Sequence, residues 1–217
     1  MVNVIKLNLE ELWEGYRMVE DWNNFLVPYQ QAVDELKVKL RGMRTQFMRT
    51  SGVSPIEFVT GRVKPVDSIT EKMVRRQVDE SRIEQDMQDI AGVRVMCQFV
   101  EDIYTVVDLL RKRTDMTIIE ERDYVENEKP SGYRSYHIVV EYPVQMMNGQ
   151  KKILAEIQVR TLEMNFWATI EHALNYKFDG EFPEDLRKRL KIASVKSYEL
   201  DKEMSDIKKE IMKSQTK

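Results

Sequence analysis

The sequence is poor in the residues that build disulfide frameworks and histidine-rich metal centres. Its 217 residues include one cysteine, Cys97, and two histidines, His137 and His172. A single cysteine excludes a disulfide framework and a zinc-knuckle spacing, and we expect Cys97 to be buried in its apolar segment. Two histidines are too few for a multi-histidine metal site, so a metal ion here would be held by oxygen ligands.

A basic excess and long apolar runs are also missing. The 34 Lys and Arg residues are balanced by 37 Asp and Glu residues, which gives a net charge of −3. This balance argues against a general nucleic-acid coat, although it leaves room for a local basic pocket. We recognise no signal peptide or membrane span, and the cysteine usage suits a reducing compartment. We therefore expect a soluble cytoplasmic protein of one ordinary domain.

Hydrophobic periodicity predicts alternating helices and strands. The predicted helices cover 5–20, 22–49, 64–76, 102–113, 162–177 and 184–213, and the predicted strands cover 54–63, 90–99, 116–124, 134–142 and 151–161. An Asn-Gly turn at 148–150 joins the last two strands into a hairpin. The pattern predicts an α+β fold, with a mixed sheet of about five strands packed by helices and with helices at both ends.

We expect three regions along the chain. Residues 1–20 form an N-terminal helical extension, 21–180 form the main domain, and 181–217 form a C-terminal helix. That last helix has only a thin apolar stripe, made by Leu190, Ala193, Leu200 and Ile207. The stripe favours either an oligomerisation surface or a solvated helix.

A polar face on the last predicted strand marks the candidate site. Alternation places Leu154, Glu156, Gln158 and Arg160 on one face, opposite an apolar face. A solvated edge strand would give the same pattern. However, the hairpin brings this strand beside the one that carries His137, and Asp89 stands just before the small residues of "IAGVRV". Asp89 and Glu156 together could hold Mg²⁺, which binds one or two carboxylates plus substrate phosphates.

Basic residues from several segments surround this pair of acids in the sequence. They are Arg62, Lys64, Lys72, Arg75, Arg76, Arg94, Arg122 and Lys129. Any one of them could be an ordinary surface charge, but as a set they fit a site for polyphosphate and Mg²⁺. No Walker-type glycine loop is present, so side chains would hold the phosphates.

Four segments carry a family resemblance. "GRVKP", "DIAGVRVMCQF", "SGYRSYH" and "AEIQVRTLEMNFWATIEHALNYK", in this order and spacing, resemble the synthetase domain of the RelA/SpoT family. The chain length and "FLVPYQQAVDELKVKLRGMR" resemble its RelQ-type small alarmone synthetases. The resemblance implies a nucleotidyltransferase-like fold and a Mg²⁺-dependent GTP pyrophosphokinase of the stringent response. Such an enzyme moves the β,γ-pyrophosphate of ATP to the 3′-hydroxyl of GTP or GDP.

The resemblance also implies roles for individual residues. Asp89 and Glu156 would be the catalytic and Mg²⁺-binding carboxylates. Arg62 and Arg94 would flank the adenine, and Ser68, Lys72 and Arg75 would hold the phosphates of ATP. Tyr133 would stack on guanine, Asn165 would read its edge, and Arg122, Lys129, His137 and Gln158 would line the ribose and phosphates of the acceptor.

A second nucleotide site is a further expectation. RelQ-type enzymes are similar to one another in forming homotetramers whose central cleft can bind alarmone as an activator. Helical spacing places Lys37, Arg41 and Arg44 on one face, and Phe58 and Thr60 share a strand face shortly afterwards. The five residues fit such an allosteric site, whereas a solvated basic face with Phe58 in the core would explain them equally well.

Two other functions compete with the synthetase at this stage. A metal-dependent nucleotidyltransferase would use the same acids and cations, and a catalytically silent nucleotide sensor or RNA-binding module would keep only the binding surface. The intact pair of Asp89 and Glu156 counts against a silent protein. The long family members also hydrolyse alarmones in a metal-dependent domain that is rich in histidine and aspartate. With only two histidines and no residues left for such a domain, this chain is expected to synthesise alarmone without hydrolysing it.

Overall fold

The computed structural model describes residues 21–178 and 182–215, and the predicted extension at 1–20 lies outside these residues. The helices are α1 (Trp22–Ser51), α2 (Val66–Arg76), α3 (Ile83–Asp86), α4 (Val100–Arg111), α5 (Leu162–Lys177) and α6 (Glu184–Gln215). The strands are β1 (Phe58–Val63), β2 (Ala91–Cys97), β3 (Thr117–Asp123), β4 (Tyr136–Met146) and β5 (Gly149–Thr161). In the part of the chain that the structure describes, no helix is long and apolar enough to cross a membrane.

The five strands form one mixed sheet in the order β1-β2-β5-β4-β3. β2 and β5 are parallel, whereas the other three pairs are antiparallel. The predicted hairpin joins β4 to β5, and Gly149 supplies its turn with a φ of 122°. The predicted α+β fold is therefore confirmed, and β5 is the central strand of the sheet. The alternative that its polar face belongs to a solvated edge strand is excluded.

One face of the sheet is the hydrophobic core. Ile153, Ala155, Ile157 and Val159 of β5 are buried, as the alternation predicts. The long helix α1 covers this face with Val33, Leu36 and Leu40, which belong to the same apolar cluster. Gly61 allows the close approach of α1 to β1, since a Cβ there would lie 2.9 Å from Cγ1 of Val33. Cys97 is also buried in this core, and burial raises the pKa of its thiol.

The segment before β4 differs from the prediction. The strand begins at Tyr136 rather than at position 134, so Tyr133 and Arg134 belong to the preceding loop. The loop turns at Gly132, whose φ is 93° and whose amide donates to the Lys129 carbonyl at 2.8 Å. This left-handed conformation interrupts the extended backbone and delays the start of the strand.

The C-terminal helix α6 packs through a face that its apolar pattern does not indicate. Ala193, Leu200 and Ile207 of the predicted stripe are exposed. The side chains that α6 buries are instead polar, namely Ser194, Asp201 and Ser205. An apolar surface on the outside of α6 is thus left uncovered in the single chain.

Candidate active site

The polar face of the sheet carries a row of five side chains, one from each strand. In spatial order the row is Thr60, Arg94, Gln158, His137 and Arg122, each the register partner of the next. Residues that are paired across strands point to the same face, so the register itself brings these side chains together. The sheet thus gathers residues from distant parts of the sequence on one surface.

A second row runs beside the first and includes one of the predicted acids. Arg62 of β1 pairs with Gly92 of β2, and Gly92 pairs with Glu156 of β5. Gly92 has no side chain, which leaves space above the sheet between its neighbours. A cleft of about 180 Å³ lies there, lined by Thr60, Gly61, Arg62, Lys64, Asp89, Gly92, Val93, Arg94, Glu156 and Gln158.

Asp89 is held at one side of the cleft by two lysines. Nζ of Lys64 lies 3.0 Å from Oδ2 of Asp89, and Nζ of Lys72 lies 2.7 Å from Oδ1. Burial raises the pKa of Asp89, but the two ammonium groups outweigh it and hold the pKa below its ordinary value. Burial lowers the pKa of Lys72, and the charge of Asp89 opposes this effect. The carboxylate is therefore ionised and surrounded by positive charge.

Glu156 is the centre of a hydrogen-bond network on the other side. Its Oε1 lies 2.9 Å from Nδ1 of His137, and its Oε2 accepts from Nε2 of Gln158 at 2.6 Å. Burial raises the pKa of Glu156, while the bonds from His137 and Gln158 lower it, and the net shift is downwards. The network extends outwards, since Nε2 of His137 lies 2.8 Å from Oη of Tyr133.

The two acids fit a magnesium site that the substrate completes. Among the described residues, no group of three or more His, Cys, Asp and Glu side chains converges as it would around a metal held by protein alone. Mg²⁺ commonly takes one or two carboxylates and fills its remaining positions with phosphate oxygens and water. Asp89 and Glu156 line one cleft and are close enough for the charge of Asp89 to raise the pKa of Glu156. The donor set is therefore suited to a metal ion that arrives with a nucleotide.

Three of the five residues predicted to bind ATP are placed at the cleft: Arg62 and Arg94 line it, and Lys72 contacts Asp89. Arg62 and Arg94 line the same cleft, and both burial and the charge of Arg62 lower the pKa of Arg94. Nε of Arg94 donates to Oε1 of Gln158 at 3.3 Å. Lys72 reaches Asp89 from α2, and Ser68 and Arg75 stand on the same helix.

Most of the residues predicted to bind the acceptor lie around Glu156 and in the loop before β4, whereas Asn165 lies on α5. Lys129 and Tyr133 come from this loop, with Nζ of Lys129 4.9 Å from the Tyr133 ring centroid. Burial lowers the pKa of Lys129. The charge of Arg122 lowers it further, whereas the charge of Glu156 opposes the shift. Asn165 is half-buried in the first turn of α5.

Arg122 is already engaged by a carboxylate. Its guanidinium donates to both oxygens of Glu120 at 2.5 Å and to Oε1 of Gln88 at 2.7 Å. A β-bulge between Ile118 and Glu120 interrupts the register of β3 with β4 just before this pair. An acceptor phosphate would have to share or replace the contact with Glu120.

The structure brings two further cations to the site: Arg160, to which the sequence assigned no binding role, and Arg76, which was predicted only as a member of the basic set. Arg160 is 3 % exposed and donates to Oη of Tyr133 at 2.7 Å and to Oε1 of Gln158. The charge of Arg76, on α2, lowers the pKa of both Lys72 and Lys129. Arg160 could have been predicted from the alternation of β5, because this alternation places it on the same face as Glu156.

The five residues of the expected allosteric site lie on two sides of β1. Arg41 donates to the Val59 carbonyl at 3.2 Å, and Lys37 packs beside Gly61. Arg44 is half-buried on the same helix. Thr60 instead lines the cleft on the polar face, and Phe58 shares its parity on the strand and is 42 % exposed.

The fold and the cleft define a nucleotide-dependent transferase, in which cations and two acids face one surface of a mixed sheet. Residues 61–181 match the family model described as the region found in RelA / SpoT proteins. The GTP pyrophosphokinase YjbM of Bacillus subtilis (strain 168) is 56% identical over 196 residues, which cover 90% of this chain and 92% of YjbM. The chain therefore belongs to the RelA/SpoT family.

Solved structures agree with this assignment. Small alarmone synthetase 1 from Bacillus subtilis bound to its product pppGpp superposes with a TM-score of 0.85 at 57% identity, over 88% of this chain and 97% of that chain. The same synthetase bound to AMPCPP gives a TM-score of 0.78 at 53% identity, over 88% of this chain and 98% of that chain. The five-stranded α+β fold is thus that of a small alarmone synthetase.

Proposed function

We propose that the protein is a GTP pyrophosphokinase that transfers the β,γ-pyrophosphate of ATP to the 3′-hydroxyl of GTP or GDP. The products are pppGpp or ppGpp and AMP. The observation that carries the proposal is the cleft between Asp89 and Glu156, with cations from α2 on one side and from the loop before β4 on the other. Its similarity to YjbM and to a synthetase bound to pppGpp supports the same activity.

The donor half of the site would bind ATP with its magnesium ion. Mg²⁺, held by Asp89 and Glu156, would neutralise charge on the phosphates and polarise the phosphorus that is attacked. Lys64 and Lys72, which now neutralise Asp89, would be shared with the phosphates of ATP. Arg62 and Arg94 would flank the adenine, while Ser68 and Arg75 would add phosphate contacts from α2.

The acceptor half would hold a guanine nucleotide with its 3′-hydroxyl towards Glu156. Tyr133 would stack on the base and Asn165 would read its edge. Arg122, Lys129, His137 and Gln158 would line the ribose and the phosphates. Glu156 contacts both His137 and Gln158, so the catalytic carboxylate is built into the acceptor side of the cleft.

One product assay separates this proposal from its competitors. Incubation with ATP, GTP and Mg²⁺, followed by chromatography, should give AMP and pppGpp in equal amounts. A nucleotidyltransferase would release pyrophosphate instead, and a silent nucleotide or RNA-binding module would leave both nucleotides unchanged. Added pppGpp should remain intact, because we propose synthesis without hydrolysis. The substrates and the free thiol of Cys97 suit an enzyme of the cytoplasm.

We further propose that α6 assembles the chain into a homotetramer. Leu200, Met204, Ile207 and Ile211 are between 43% and 52% exposed and recur at spacings of four, three and four residues. Such a stripe is typical of a helix that packs against another helix.

Breaking the stripe should lower the oligomeric state. We expect the double variant Leu200→Glu with Ile207→Glu to form smaller species than the wild type, because buried carboxylates would be unpaired in the interface. Light scattering after size exclusion measures the mass. Lys209→Glu, on the other side of the helix, is the control and should leave the mass unchanged. A wild type that is already a monomer, or a tetrameric double variant, would contradict the proposal.

The allosteric set makes a separate prediction. If Lys37, Arg41, Arg44, Phe58 and Thr60 bind alarmone, added pppGpp should raise the initial rate. Arg41→Glu should abolish this rise by repelling the phosphates, while the basal rate is retained. Arg49→Glu, at the exposed end of the same helix, is the control. An unchanged response in the Arg41 variant would exclude this site.

A further inference from the structure

The loop between β3 and β4 carries two of the proposed acceptor residues. We define residues 124–135 as the acceptor loop. The loop is closed at its base by a bond from the Tyr124 amide to the Ser135 carbonyl at 3.1 Å. Near its tip, the Lys129 amide donates to the Tyr133 carbonyl at 3.1 Å. The loop is therefore a compact unit, whose orientation depends on what lies beneath it.

The C-terminal helix α6 lies directly beneath the tip. Oγ of Ser194 donates to the Gly132 carbonyl, and the Ser194 side chain is 4 % exposed. Gly132 approaches so closely that a Cβ on it would lie 2.8 Å from Cβ of Ser194. A glycine is thus required here both by the contact and by the positive φ.

A second contact holds the base side of the acceptor loop on α6. The Arg134 guanidinium lies 3.9 Å from the ring centroid of Tyr198 and donates to the Val125 carbonyl and to Glu128. Nζ of Lys191 lies 3.9 Å from Glu128. Arg134 thereby links both halves of the acceptor loop to the ring of Tyr198 on α6.

The same helix also fixes α5, which carries Asn165. Asp201 accepts a hydrogen bond from Oγ1 of Thr161, and the same oxygen of Thr161 caps α5 at the Met164 amide. One turn further on, Nε1 of Trp167 donates to the Leu190 carbonyl at 2.9 Å. The two proposed walls of the guanine subsite, Tyr133 and Asn165, are therefore both supported by α6.

We propose that Ser194 is a positioning residue for the acceptor nucleotide. By holding the Gly132 carbonyl, it fixes the tip of the acceptor loop and hence the distance between Tyr133 and Asn165. This inference rests on the proposed role of the loop in guanine binding. It assigns to α6 a function in acceptor affinity that is separate from any role in assembly.

The test is to remove the hydroxyl of Ser194 and to measure each substrate separately. Ser194→Ala should raise the KM for GTP by about 3- to 10-fold, the range expected for the loss of one intramolecular hydrogen bond. The KM for ATP and the kcat should stay within about two-fold of the wild type, because the donor half has no contact with Ser194. A general loss of stability would not separate the two substrates in this way.

Ser205→Ala is the matched control. Ser205 is 3 % exposed on the same helix and accepts from the Val100 amide at 3.4 Å, away from the acceptor loop. This variant removes an equivalent buried hydroxyl and should leave both KM values unchanged. Tyr198→Leu removes the stacking partner of Arg134 and should raise the KM for GTP as Ser194→Ala does. This variant serves as the test if Ser194→Ala does not fold.

Hydrogen exchange provides a readout that needs no activity. Without nucleotide, the amides of residues 124–135 should exchange faster in Ser194→Ala than in the wild type or in Ser205→Ala. Equal exchange in all three proteins, or a parallel rise of both KM values, would overturn the proposal. If the wild type makes no pppGpp, the proposed function fails, while the exchange data still decide whether Ser194 holds the loop.

Discussion

Glu156→Gln is expected to lower the rate of pyrophosphate transfer by about 10²- to 10³-fold or more while the fold survives. The amide keeps the shape of the carboxylate and can still accept a hydrogen bond from Gln158 or His137. The variant removes one of the two negative charges that are proposed to hold Mg²⁺. Turnover of ATP and GTP at saturating Mg²⁺ measures the loss, and thermal unfolding shows that the fold is retained.

The control for this variant is Glu141→Gln on the same hairpin. Glu141 is half-buried, pairs with Lys152 at 2.7 Å and lies outside the cleft. We expect its substitution to leave turnover near the wild-type value. Near-normal turnover in Glu156→Gln would show that this carboxylate is not needed for catalysis.

Tyr133→Ala should weaken the binding of GTP by roughly 5- to 150-fold, which corresponds to a stacking free energy of about 1–3 kcal/mol. The binding of ATP should change little, because only the guanine base is proposed to contact this ring. Calorimetry with each nucleotide in turn measures the two dissociation constants.

Tyr133→Phe separates stacking from hydrogen bonding. It keeps the ring but removes the hydroxyl that lies 2.8 Å from His137 and 2.7 Å from Arg160. If stacking dominates, GTP should bind this variant much more tightly than it binds Tyr133→Ala. Equal losses for ATP and GTP in the alanine variant would rule out a guanine-specific role.

Local sequence patterns predicted most of the fold, because each pattern has a direct physical cause. The strict alternation of β5 separated its core face from its polar face, and the Asn-Gly pair identified the turn before it. The alternation did not, however, predict that β5 lies at the centre of the sheet. Strand order depends on pairing between distant segments, and an edge strand with one solvated face shows the same alternation.

The candidate site was also predicted unevenly. Asp89 and Glu156 were visible as acids on or beside apolar strands, and the structure places both in one cleft. The contact between Glu120 and Arg122 was not predicted, because it depends on the local conformation of β3 at a bulge. The role of α6 beneath the acceptor loop was missed for another reason. Its fully buried side chains are Ser194, Asp201 and Ser205, and polar residues give no apolar signal.

The row of five side chains across the sheet has a consequence for the newly made chain. Parallel strands need a connection that crosses over other structure, so the pairing of β2 with β5 is a long-range step of folding. Until β5 is in place, Arg94 and His137 have no common neighbour, and Glu156 and Gln158 are absent from the surface. A chain that has emerged from the ribosome only as far as β4 already contains Asp89 and its two lysines but lacks Glu156 and Gln158, so its cleft is incomplete. We therefore expect alarmone synthesis to begin only after the central strand has been inserted, so a chain that still lacks β5 makes no alarmone.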